Sequence, residues 1–156
     1  MTKVLIAFYL LTLSLAAGFL SAYIPLEDIR VIDGDTIRAE VEGKERKIRL
    51  ASIDAPEMNQ PFGVQSRNFL IRLLDKKDIT VVFQGKGSFG RPLGEIYANG
   101  ESANTSMIKF GFAWVFDKYV KDSSFLYEHQ DQAKTKNLGL WQAKDPIAPW
   151  VWRKQK

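Results

Sequence analysis

Beyond residue 28 the chain first follows a two-residue rhythm. The strand-like runs "IRVI" and "TIRAEV", the second with apolar residues at alternate positions, flank an Asp-Gly pair, which predicts a β-hairpin. "EGKE", Glu42 to Glu45, marks a second turn before "RKIRLASI", so three strands should form a meander. The period then changes. Phe62, Phe69, Leu70, Leu73 and Leu74 recur at helical spacing, predicting an amphipathic helix over Gly63 to Lys76. "DITVVFQ" and "PLGEIYA" return to strand character around "GKGSFGR". Two more helices follow. One has Ser102 or Asn104 as its cap before Met107, Ile108 and Phe110; the other starts at Ser123 or Ser124 and stops at Gly139. The tail "LWQAKDPIAPWVWRKQK" is aromatic and punctuated by proline, so Trp141, Trp150 and Trp152 are expected to pack.

Five strands with a helix inserted after the third match the order of a small Greek-key barrel. The predicted class is therefore α+β: a five-stranded OB-fold-like β-barrel with about three packed α-helices. Such barrels bind oligonucleotides and oligosaccharides, but a fold does not by itself assign a function.

The first residues follow neither rhythm. Lys3 precedes a run from Val4 to Ile24 that carries no charge. A basic start, an apolar stretch and small residues predict a secretory signal cut after Ala22, or an uncleaved anchor, since the run is long enough to span a bilayer. Both place the remainder outside the cytoplasm. The destination is secreted or periplasmic, or a membrane-anchored exported domain if the leader stays. The expected division is 1–22 leader, 23–28 short linker, 29–152 domain and 153–156 basic tail. Cysteine is absent, so an exported fold must rely on its core without disulfides. The full chain carries +4, and without the leader's Lys3 a balance of +3, which suits a polyanionic partner without establishing one.

The polar residues then take on meaning. Asp33, Gly34 and Asp35 read first as turn residues. The third strand, however, carries Arg49 and runs into "LASIDAPE", ending in Asp54 and Glu57. With strands one to three side by side, Asp35 and Arg49 share a sheet and Asp54 is brought close. Two carboxylates, a backbone carbonyl and waters are a normal set for a hard cation. The lack of cysteine and the single His129 argue against zinc. His129, isolated on the last helix, is expected to pack or face solvent.

"DGDT", "RLASIDAPE", "FGR" and "NLGLW", in this order, resemble the staphylococcal nuclease (thermonuclease) family, over Ile29 to Trp152. The resemblance implies a calcium site at Asp35, Asp54 and the carbonyl of Ala55, and catalytic roles for Arg49, Glu57 and Arg91. It places Phe89 and Tyr119 at the substrate end. Ser88 and Phe89 stand where the type enzyme has lysine and tyrosine, and Met58 to Phe62 is shorter and less basic than its mobile loop. The types suit the chemistry: a glutamate to orient or deprotonate water, and arginine forks for phosphate.

The function expected is an exported, monomeric, calcium-dependent endonuclease that cuts DNA and RNA with little sequence preference. A non-catalytic OB-type module holding nucleic acid or protein is the alternative. A third reading is a tethered domain whose Arg153, Lys154 and Lys156 bind anionic lipid. The presence together of Arg49, Glu57 and Arg91 favours the enzyme.

Overall fold

Two hairpins align the first three long strands. In the computed structural model, which describes residues 23–118 and 124–155, β2 (Glu27–Asp33) turns at Gly34 and Asp35 into β3 (Thr36–Val41). The second turn takes Glu42 and Gly43 at positive φ, the geometry that suits a two-residue hairpin, into β4 (Lys44–Leu50). The predicted β6 (Ile79–Lys86) and β7 (Pro92–Ala98) complete five long strands. Short strands add to them: β1 (Ile24–Pro25), β5 (Ile53–Asp54), β8 (Glu101–Ser102) and β9 (Trp114–Val115).

The main sheet runs β1-β6-β7-β4-β3-β2, with β8 on β7, and β5 pairs with β9 separately. Among the described residues no ladder closes the path, so the expected barrel is an open one and the α+β class holds. Its two ends are joined by the chain itself. β1 and β2 stand at opposite ends and are separated by Leu26, whose amide donates to the Ile79 carbonyl at 2.9 Å. Residues expected as a linker thus form the edge strand β1.

Helices cover the sheet: α1 (Gly63–Leu74), α2 (Ala103–Lys109), α3 (Ser124–Thr135) and the single turn α4 (Pro149–Trp152). The first three are those predicted. The alternating positions Ile37, Ile48, Leu50, Val81 and Ile96 are fully buried against Leu70, Met107 and Ile108 of the helices. Removing this apolar surface from water is the main driving term of the fold. The leader expected at 1–22 lies outside the described residues. Among the described residues no helix is long and apolar enough to cross a membrane.

Local chemistry accounts for the helix ends. Ser102 Oγ accepts the Thr105 amide at 2.9 Å and caps α2, as such side chains do for an orphan donor. Asn104 is therefore not the cap. It is fully buried, accepts the Ile96 amide at 3.0 Å, and donates to the carbonyls of Ala51 and Gly94, each at 3.0 Å. It joins α2 to the sheet. α1 has no side-chain cap: Phe62 stands at its N-cap with φ 70°. α3 ends at Thr135, before Gly139, because Asn137 already takes a left-handed conformation. Gly139 serves contact instead. A Cβ there would overlap the Gly111 carbonyl, which accepts the Leu140 amide at 2.8 Å.

Trp141 is buried with its ring edge on Trp114, and Trp150 packs on Trp114 and Phe116, as the aromatic tail predicts. His129 meets the edge of Phe125, away from the carboxylates.

Asn104→Leu is expected to lower unfolding free energy by about 3 kcal/mol or more, since it removes the side-chain partner of the buried Ile96 amide and Ala51 carbonyl, the Gly94 carbonyl still accepting the Ala51 amide. Urea denaturation checks this; a loss below about 1 kcal/mol would mean that water or relaxation replaces the bonds.

Candidate active site

The β2–β3 turn is both a hairpin and a binding wall. Gly34 is not at positive φ, so the conformational reason for glycine in an Asp-Gly turn does not apply here. Its reason is space: a Cβ at Gly34 would overlap Ser66 Oγ of α1 and come within 2.6 Å of the Ala55 Cβ. The turn therefore lies directly against α1 and the segment after β5. That contact delivers Asp35 to its partners. The Asp35 amide donates to Asp33 Oδ1 at 3.1 Å, and its carboxylate turns inward, only 4% exposed.

Arg49 gathers the acids. It faces Thr36 across the β3–β4 ladder, one residue from Asp35. Nη1 donates to Asp35 Oδ1, and Nη2 donates to Asp54 Oδ1 at 2.9 Å and to the Ile53 carbonyl at 3.1 Å. Asp35 Oδ1 also accepts the Thr36 hydroxyl at 2.9 Å, and Oδ2 accepts the Ala55 amide at 2.7 Å. Burial pushes the Asp35 carboxyl up and Asp33 adds to it, while Arg49, Ala55 and Thr36 pull the other way. Burial alone would lower Arg49, but Asp35 and Asp54 outweigh it and hold the guanidinium charged. Asp54 is fully buried, behind the wall.

The cluster opens on a pocket of about 340 Å³ whose lining includes Asp35, Arg49, Ala55, Glu57, Phe89 and Arg91. β4 and β7 pair in parallel with Arg49 opposite Leu93, which puts Arg91, just before β7, at the same end. Its buried Nε has no hydrogen-bond partner. Phe89 stands fully exposed on the loop, at φ 58°. Glu57 is partly exposed; its amide donates to Gln60 Oε1 at 3.1 Å, and it does not cap α1. Tyr119 lies outside the described residues. Among the described residues no group of three or more His, Cys, Asp or Glu is arranged to hold a metal. The expected set is smaller, two carboxylates and a carbonyl.

Two groups escaped the sequence reading. Asp33 also lines the pocket. Arg153, assigned to the basic tail, folds back: Nη2 donates to Asp54 Oδ2 at 2.7 Å, and Nη1 to Glu57 Oε1 at 2.7 Å and Asp54 Oδ1 at 3.2 Å. Its hydrogen bonds to Asp54 hold it above the ordinary arginine range. No local pattern signals a contact between residues so far apart in sequence.

The family profile described as "Staphylococcal nuclease homologue" matches residues 47–143. An uncharacterized endonuclease of Escherichia coli O157:H7 is 40% identical over 129 residues, covering 82% of this chain and 84% of its own. An uncharacterized endonuclease of Haemophilus influenzae is 38% identical, covering 81% and 71%. The micrococcal nuclease of Shigella flexneri is 35% identical over 138 residues, covering 82% and 79%. The chain belongs to the staphylococcal nuclease family. It is an endonuclease, a hydrolase of nucleic acids. The profile takes in Arg49, Asp54, Glu57 and Arg91, and Asp35 lies ahead of it. The pocket of this staphylococcal nuclease homologue is thus built from both sides of that boundary.

Gly34→Ala tests the close approach. The added methyl should force the turn from α1, lower stability by about 1–3 kcal/mol, and reduce nuclease activity by moving Asp35. A thermal melt and a nuclease assay together check it; unchanged values in both would show that the turn adjusts freely.

Proposed function

We propose that this endonuclease is calcium-dependent, cuts DNA and RNA with little sequence preference, and uses Arg49, Glu57 and Arg91 for the chemistry. What supports the reading is the convergence of these three side chains with Asp35 on one pocket, with Asp54 behind it. The donors fit a hard cation: Asp35 and Asp54 are oxygen ligands held beside the Ala55 backbone, and Asp54 already binds cationic groups on two sides. Asp35, Asp54 and the Ala55 carbonyl would hold calcium, which when bound supplies Lewis-acid polarisation of a phosphoryl oxygen.

The remaining work falls to side chains. Glu57, partly exposed at the pocket, orients a water and takes its proton as the oxygen attacks phosphorus, while the P–O bond to the leaving sugar oxygen breaks and that oxygen takes a proton from solvent. Arg49 and Arg91 place guanidinium donors where negative charge grows on the phosphoryl oxygens. Arg49 is fixed by two carboxylates before substrate arrives, so little reorganisation is needed. Arg91 Nε, buried without a partner, is a donor available to phosphate. Phe89 offers an exposed ring for stacking a base, which every base can accept, in keeping with weak sequence preference. Tyr119 is assigned the same kind of contact from its place in the sequence.

We also read the enzyme as exported, on the uncharged run after Lys3, and as a monomer.

Activity should reach half its maximum at about 10⁻⁴ to 10⁻³ M calcium, as for weak oxygen-ligand sites, and vanish with a chelator. Full activity after exhaustive chelation would remove the metal from the mechanism. Glu57→Gln should retain the melting temperature and lower turnover about 10²-fold or more. Arg49→Lys and Arg91→Lys should each cut kcat, because lysine keeps charge but loses the fork. Phe89→Ala should instead raise KM, by a stacking loss of about 1–3 kcal/mol. Steady-state kinetics on short single-stranded DNA and RNA separate these; arginine variants altered in KM alone would make the protein a binder first.

A further inference from the structure

Arg153 touches two of the three acids on which the proposed chemistry depends. It holds both oxygens of Asp54 and one of Glu57. The segment that carries it is fastened in place. Gln60, which accepts the Glu57 amide, donates from Nε2 to the Ile147 carbonyl at 2.6 Å. Pro149 is buried, and the Trp150 ring lies 5.7 Å from those of Trp114 and Phe116. Trp152 Nε1 donates to Asn59 Oδ1 at 3.3 Å, and the Arg153 amide closes α4 on the Pro149 carbonyl at 3.0 Å. The loop bearing Glu57 and the end of the chain therefore form one unit, with the Arg153 guanidinium at its tip.

The two arginines on Asp54 differ in kind. The Arg49 side chain is 13% exposed and held by two acids of the sheet region; that of Arg153 is 42% exposed. A buried carboxylate needs a compensating cation. Asp54, fully buried, takes one from each side. A divalent cation and the Arg153 guanidinium require the same Asp54 oxygens, and only Arg153 can withdraw into water without leaving the core. While it stays, its charge also neutralises Glu57, the group assigned to water.

We propose that Arg153 sets the affinity of this site for its divalent cation: its guanidinium is a tethered competitor that covers Asp54 and Glu57 until the cation displaces it. This rests on the reading that Asp35 and Asp54 take the cation. By linkage, whatever Arg153 contributes to covering the acids it subtracts from cation binding.

The test is calcium titration by isothermal calorimetry into the full chain in mild detergent, with no nucleic acid present. Arg153→Gln should bind calcium about 10-fold more tightly than the wild type, within the usual range for coupled sites. Arg153→Lys should fall between, keeping the charge without the fork, and it carries the test if the glutamine variant fails to fold. Lys154→Gln removes the same charge one residue later and should shift affinity by less than about 2-fold, as a screened surface charge does. Unchanged or weaker binding by Arg153→Gln overturns the competitor role and leaves the calcium reading standing. An equal gain in Lys154→Gln overturns it too, as a general field effect. No binding by any of the proteins removes the calcium reading and the proposal together.

Discussion

The Arg49 guanidinium is the constraint around which the site is arranged. A single planar fork bonds Asp35 from one hairpin, Asp54 from the next strand and the carbonyl of Ile53. Three segments are tied at one cation. Neither acid tolerates burial alone, and removing one member of such a group typically costs about 3–5 kcal/mol, because the charge left behind has no partner. The pairing also explains why the β3–β4 register cannot slip. A shift of one residue turns Arg49 to the other face of the sheet, and it would expose Ile48 and Leu50, both fully buried.

The rest of the architecture serves this cluster by close approach. Several contacts need glycine for want of room, these three among them. Gly34 meets α1, Gly63 meets the Glu57 carbonyl, and Gly139 meets Gly111. Each draws a polar loop onto a helix or neighbouring loop where any side chain would hold them apart. Gly63 and Gln60 together shape the loop that presents Glu57: the Gly63 amide donates to the Gln60 carbonyl at 3.0 Å, and the Gln60 amide to the Glu57 carbonyl at 2.8 Å. Asn104 does the corresponding work beneath the sheet, joining α2 to the backbone of β7 and to Ala51. These contacts hold the backbone around the pocket together, whereas Phe89 projects from an exposed loop.

The aromatic tail gives the C-terminal segment its place. Trp141 and Trp150 close around Trp114, so the last turn of the chain docks beside β9, which itself pairs with the strand carrying Asp54. Hydrophobic packing and charge thus reach the same point from opposite directions. The rings bring the segment to the site, and Arg153 completes the contact with the acids.

The sequence by itself determined the elements and the grouping of the acids around Arg49. The period-two runs, the helical spacing of Phe69, Leu70, Leu73 and Leu74, and the Glu42–Gly43 turn are local signals, and local sterics and amphipathicity decide them. The grouping of Asp35, Arg49 and Asp54 was legible too, because short hairpins make neighbours in sequence neighbours in the sheet. Only the tertiary structure decided that the sheet stays open at Leu26, that Gly34 is required for space instead of φ, and that Asn104 joins layers while Ser102 caps. It alone also returned Arg153 to Asp54. Those outcomes depend on contacts between segments distant in the chain, where a side chain's partner is set by how packed layers meet, and no local periodicity records that meeting.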